Sequence, residues 1–151
     1  MKLLLPDSVY STLLDDEDYE RLKHVRWYRS VLGYAMGRMD GKVTYLHRAV
    51  LQAPSDALVD HINHDKLDNR KCNIRLCTDH ESHGNMKPQR RSKSGYKGVF
   101  PVSKSTSWRA QLNAYGETKY LGCFETKEEE AKAYNKAAKE HFGEFAWLNP
   151  V

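Results

Sequence analysis

Hydrophobic and polar positions change period several times along this chain, and each change marks an element. Leu4-Leu5 and Val9-Tyr10 are short apolar pairs that fit a brief strand or turn. Ser11 or Thr12 leads into DDEDYERLKHVRWY, where Tyr19, Leu22, Val25 and Arg26 recur at helical spacing behind an acidic start that suits a helix N-terminus. Trp27-Tyr28, Tyr34 to Met36 and Val43 to Tyr45 read as strands joined at Gly33 and at Asp40-Gly41, the second a hairpin signal. Leu46 to Leu51 reads as a short helix closed by Pro54.

From Asp60 to Asn85 the pattern turns polar. Four of the seven histidines fall there (His61, His64, His80, His83), among aspartates and asparagines and with few apolar residues. Leu58 to Ile62 is a short strand, Asn63 to Lys71 a turn-rich loop, and Asn73 to Cys77 a second alternating strand. Thr78 is a candidate N-cap for a helix from Asp79 to Asn85. A segment so rich in ligands and proton carriers points to chemistry. Neutral His61 can take a proton from water, and Asp60 beside it offers a hard oxygen to a cation such as Mg²⁺, with Mn²⁺ as the substitute.

The last third returns to alternation. Tyr96 to Phe100, Ser107 to Leu112 and Thr118 to Phe124 are strand-like and separated by turn-forming stretches. Thr126 and three glutamates then open a helix through His141, with Ala131, Tyr134, Ala138 and Phe142 along one face. Three antiparallel strands on one helix follow from this order.

Composition narrows the class. The chain is 29% charged, with a net charge of +4 and a mean hydropathy of −0.76. No apolar run approaches the length of a membrane span. Met1 to Leu5, cut off by Pro6 and Asp7, reads as neither a signal peptide nor an anchor. Three cysteines fit a reducing cytoplasm better than a disulfide framework. Charge is unevenly spread: Met1 to Glu20 holds six acids and one base, whereas Ser82 to Gly116 holds seven lysines and arginines and no acid. The basic region suits a polyanion, with binding that weakens as salt rises. Within it, Lys87 to Gly95 lacks hydrophobic periodicity and reads as a linker that follows a DNA backbone through Arg90, Arg91 and Lys93. Cys72, Cys77, His80 and His83 raise structural zinc as a weaker alternative, although their spacing is not that of a standard finger.

The run VDHIN-x-x-K-L-DNR-x-x-N-I-R-x-CT resembles the HNH nucleases of phage and intron-encoded homing endonucleases, which have a ββα-metal fold. The resemblance implies Asp60 as metal ligand, His61 as general base, Asn73 as the residue that pins the loop, and Ser82 or His83 as the second ligand. Ser82 stands where that family usually carries Asn or His. The preceding Tyr-Leu-His-Arg sequence also resembles phage members, and it makes His47 and Arg48 candidates for touching the substrate phosphate.

YKGV, WRAQL, KYLGCF, EEEAKAY and FGEFAWLN, spanning Ser94 to Asn149, resemble the APETALA2 and ethylene-response-factor DNA-binding domain. That family lays its sheet in the major groove, which implies contacts by Lys97, Trp108, Arg109, Gln111, Lys119 and Tyr120. Strand alternation assigns Lys97, Arg109, Gln111 and Lys119 to one exposed face, with Trp108 turned toward the helix.

The expected protein is α+β. A nuclease domain spans 1–86 with its ββα-metal core at about 57–86, a basic linker spans 87–94, and a three-stranded antiparallel sheet packed on one helix fills 95–151. The expected function is metal-dependent hydrolysis of double-stranded DNA in the cytoplasm of a phage- or bacterium-like host cell, without a membrane or an obligate protein partner. The alternative is a DNA-binding protein whose HNH site has decayed, motivated by Ser82.

Overall fold

The computed structural model describes residues 1–6 and 9–151; Asp7, part of the break expected after Leu5, lies outside the described residues. The protein is α+β, and its contacts divide it into two units, Met1–Thr78 and Asp79–Val151.

The first unit opens with β1 (Lys2–Leu4) and β2 (Ser11–Leu13), paired antiparallel. Helix α1 (Asp16–Leu22) follows, with Asp15 at its N-cap and three acids in its first turn. Ser11 and Thr12 therefore belong to a strand and do not start the helix. The helix also stops at Leu22, before Val25 and Arg26, and the Trp27 indole N–H donates to the freed Leu22 carbonyl at 2.9 Å. Strands β3 (Trp27–Arg29), β4 (Ala35–Met39) and β5 (Lys42–Tyr45) form an antiparallel sheet in the order β3-β4-β5. Asp40 and Gly41 turn the β4-β5 hairpin at φ of 47° and 76°, the left-handed pair a two-residue turn demands.

Helix α2 (Leu46–Leu51) leads to β6 (Leu58–His61) and β7 (Ile74–Cys77), which pair antiparallel from Leu58↔Cys77 to His61↔Ile74. One core joins these pieces: Leu5, Leu14, Leu22, Trp27, Leu46, Val50 and Ile74 are all buried within it. The last residue of β6 and the first of β7 thus rest on a packed floor.

The second unit begins with α3 (Asp79–Gly84). Strands β8 (Val99–Pro101), β9 (Trp108–Ala114) and β10 (Glu117–Phe124) form an antiparallel sheet in the order β10-β9-β8. Helix α4 (Lys127–Phe142) starts at a capping box, in which the Glu129 N–H donates to Thr126 Oγ and the Thr126 N–H donates to Glu129 Oε2. Ala131, Tyr134, Ala138 and Phe142 are its buried face, as their spacing predicts. The small alanines admit the sheet: Ala110 and Leu112 of β9 are buried, Leu112 in one cluster with Tyr134, Ala138 and Phe142.

A 3₁₀ turn (Gly143–Phe145) follows, and Gly84 of α3 sits so close to the Phe142 ring that a Cβ there would lie 2.8 Å from it. The 87–94 stretch lies in this unit. Its bases Arg90, Arg91 and Lys93 are exposed, while Ser94 is buried and donates to the Val99 carbonyl at 2.8 Å.

Candidate functional site

The loop between β6 and β7 is built by asparagine and aspartate side chains acting on backbone groups. The Asn63 N–H donates to Asn73 Oδ1 at 3.0 Å, and Asn73 Nδ2 donates to the Asp68 carbonyl at 2.8 Å, so one buried amide ties both sides of the loop. Asp65 and Leu67 continue the pattern, their N–H groups donating to Asn63 Oδ1 and Asp65 Oδ1 at 2.7 and 3.0 Å. The far side of the loop docks on β2. The Leu13 N–H donates to the Leu67 carbonyl and the Asn69 N–H to the Leu13 carbonyl, at 2.8 and 3.0 Å. Asp68 is buried and accepts from Arg70 Nε and Nη2, both at 2.7 Å, which holds its carboxyl below the usual range.

At the head of this loop His61 is 5% exposed, and its Nε2 lies 3.1 Å from Asn69 Oδ1. The neighbouring groups fix which partner carries the proton. Thr12 Oγ1 gives its hydrogen to the Leu67 carbonyl at 2.7 Å, so toward Asn69 it can only accept, and Asn69 Nδ2 donates to it at 2.7 Å. Asn69 Oδ1 is then an acceptor, which places the His61 proton on Nε2 and the ring lone pair on Nδ1. Burial pushes the His61 pKa below 6.5, partly offset by the Asn69 hydrogen bond and by the charges of Asp60, Asp65 and Asp68. At neutral pH the imidazole is a neutral base.

An aromatic wall backs it. The His47 ring meets His61 edge to face at 5.1 Å, stacks on Tyr45 at 5.4 Å, and lies 5.4 Å from Tyr34. His47 is buried, and burial, with the neighbouring His61 and Arg48, pushes its pKa down to about 3. His47, a candidate for a phosphate contact in the sequence, packs instead into this wall. Arg48 is likewise occupied, donating to the carbonyls of Ala57 and Pro54.

Asp60 precedes His61 and pairs across the strands with Arg75, whose Nε and Nη2 both donate to Asp60 Oδ2, at 3.2 and 3.0 Å. Among the described residues no three His, Cys, Asp or Glu side chains converge as a metal site. A cation here would rest on one carboxylate plus neutral oxygens from water and substrate. Asp60 fits that donor set, since its carboxylate already receives a positive group.

Ser82 and His83 stand on α3 in the second unit. Ser82 is half-buried, and the His83 ring is exposed with Nδ1 2.8 Å from the Asp79 carbonyl. Of the proposed zinc ligands, Cys72 is exposed and Cys77 buried in the first unit, while His80 stacks on Tyr115 at 3.6 Å in the second.

The second unit offers a separate surface. Register places Arg109 opposite Phe100 and Cys123, and Gln111 opposite Tyr120, so these side chains share the sheet face turned away from α4. Two expected members do not join them. Lys119 pairs with buried Leu112 and therefore belongs to the other face, although it is exposed on the edge strand. Lys97 precedes β8, and its Nζ donates to the carbonyls of His83 and Gly84 at 3.0 and 2.7 Å, with burial lowering its pKa to about 8. The cause is Gly98, which at φ +72° breaks the alternation assumed for Tyr96 to Phe100. Trp108 is half-buried and shares the helix side with Ala110.

Asn69 is the residue a sequence reading passes over. The Asp68-Asn69-Arg70 run carries a signal, but no spacing rule shows which amide turns to the imidazole.

The chain is 35% identical over 132 residues, 83% of its own length and 67% of the relative's, to a protein of Acanthamoeba polyphaga mimivirus named an uncharacterized HNH endonuclease. No protein-family model and no solved structure matches it.

Proposed function

We propose that this chain, which belongs to the HNH endonuclease family, is a metal-dependent DNA endonuclease whose chemistry centres on His61. The observation that carries the reading is the buried His61 imidazole, its Nε2 proton directed to Asn69 and its lone pair therefore on Nδ1, with Asp60 next to it in the strand. His61 Nδ1 accepts the proton of a water as the water oxygen bonds to phosphorus and the bond from phosphorus to the 3′ oxygen breaks. The leaving oxygen takes its proton from solvent, giving a 3′ hydroxyl and a 5′ phosphate. Mg²⁺ or Mn²⁺, held by Asp60 with oxygens of water and substrate, would supply Lewis-acid neutralisation of the phosphate and the leaving oxygen. Asn73 keeps the loop shape on which His61 depends, and the Tyr34, Tyr45 and His47 wall keeps water from its flank.

In this reading the nuclease domain spans 1–86 with a ββα-metal core at about 57–86, the 87–94 stretch follows the DNA backbone, and the APETALA2-like part at 95–151 binds duplex. Arg109, Gln111 and Tyr120, on the sheet face away from α4, support that last assignment. Arg109 has the planar fork that fits guanine or phosphate, and Gln111 can pair with adenine.

Supercoiled plasmid incubated with purified protein and Mg²⁺ or Mn²⁺ tests the reading, with EDTA and His61→Ala as controls. Metal-dependent nicking that disappears in His61→Ala supports it, and nicking that survives the substitution rejects His61 as the base. A second reading, a DNA-binding protein with a decayed site, rests on Ser82 in place of Asn or His; under it, Ser82→Asn creates cleavage in an inactive wild type.

A further inference from the structure

The Asp60–Arg75 pair is more than a surface ion pair. The two side chains are 12% and 13% exposed, so water screens them weakly, and two guanidinium N–H groups, on Nε and Nη2, converge on one oxygen, Oδ2. Strand pairing holds the two residues opposite each other, with His61 and Ile74 as the next pair along the ladder. Arg75 thus presents a positive group at the carboxylate that the proposed function gives to the cation. A divalent ion and a guanidinium cannot take the same oxygen without repulsion. The displaced guanidinium would itself suit a phosphodiester, since its planar fork matches two phosphate oxygens.

We propose that Arg75 is the counter-ion of Asp60 in the DNA-free protein, that it weakens divalent-cation binding there, and that it turns to the substrate phosphodiester when cation and DNA are both present. The inference rests on Asp60 as the metal-binding residue. Cation and DNA then strengthen each other's binding, as linkage requires. Arg75 becomes a substrate-binding residue of the nuclease site, and the DNA-free protein is kept from carrying a loaded cation.

Mn²⁺ binding to the full chain without DNA, followed by the loss of the free-ion spin-resonance signal, tests this without reference to cleavage. Arg75→Gln keeps a neutral donor and removes the charge, and it should tighten Mn²⁺ binding by about fivefold to tenfold. Arg75→Lys keeps the charge and should stay within about twofold of wild type, a rescue that a purely structural role would not produce. Asp60→Asn should abolish the site in either background. Unchanged or weaker Mn²⁺ binding in Arg75→Gln, with Asp60→Asn still abolishing it, overturns the role of Arg75 alone. Wild-type Mn²⁺ binding in Asp60→Asn overturns the metal assignment and the inference with it. Should Arg75→Gln fail to fold, the His61→Ala chain gives a second measurement: duplex DNA must tighten its Mn²⁺ binding, and unchanged binding overturns the coupling.

Discussion

The hydrogen bond between His61 Nε2 and Asn69 Oδ1 takes its direction from Thr12, which accepts from the Asn69 amide and donates to the Leu67 carbonyl. A strand near the start of the chain therefore decides which imidazole nitrogen is the base. Thr12→Val removes the hydroxyl that orients the amide. It should lower kcat by about tenfold with little change in KM, at a stability cost of about 1–3 kcal/mol, since the Asn69 amide keeps only its long 3.5 Å bond to the Lys66 carbonyl. Single-turnover cleavage and chemical denaturation measure the two effects, and full activity would detach the tautomer from Thr12.

The pH profile of cleavage should follow His61. Burial lowers its pKa from 6.5, so the base form predominates at pH 7. As pH falls through the lowered value the rate should drop about tenfold per unit, while a free imidazole would already be half protonated at 6.5. A profile of kcat/KM against pH on a short duplex reads this directly, and a midpoint above 6.5 would contradict the buried setting.

Acid should unfold the first unit partly through His47. Its folded pKa of about 3 lies below the unfolded value of 6.5, so between these the unfolded chain holds a proton that the native chain refuses. Stability from this group is complete above pH 6.5 and falls by about 1.4 kcal/mol per unit as pH drops toward 3. His47→Phe removes the titration and should flatten that part of the curve. Denaturant midpoints at pH 7.0, 6.0 and 5.0 compare the two proteins.

DNA affinity should separate the basic residues of the second unit. Arg109→Ala, on the open sheet face, should weaken duplex binding and reduce the salt slope by about one. Lys97→Met should leave the salt slope unchanged and lower thermal stability instead, because its ammonium caps the carbonyls of α3. Binding isotherms at two or more salt concentrations, beside melting curves, distinguish them.

Most elements were legible because their signals are local. Asp40-Gly41, the Thr126 capping box and the alanine stripe of α4 each name their own structure within a few residues. Faces were less legible where a single residue shifts the count. Gly98, in the left-handed region, lies where a Cβ would fall 2.1 Å from the Tyr134 ring, and it turns Lys97 away from the sheet face. In β10 a bulge between Tyr120 and Gly122 lets Tyr120 and Cys123 share a face although they are three apart. At the candidate site, Asp60, His61 and Asn73 stand out by residue type. Asn69, Arg75 and His47 matter through partners distant in sequence, such as Thr12, Asp60 and His61, and periodicity cannot supply those.

The loop between β6 and β7 contains no strand or helix, yet its backbone N–H groups are largely taken. Those of Asn63, His64, Asp65, Leu67, Asp68, Asn69, Lys71 and Asn73 all donate within the first unit, several of them to side chains of the same loop. In amide hydrogen-deuterium exchange the segment would behave like a small ladder, opening as one body with the edge of β2. A protection map would then place the slowest exchange of any irregular stretch next to His61, which is where a base needs the least freedom.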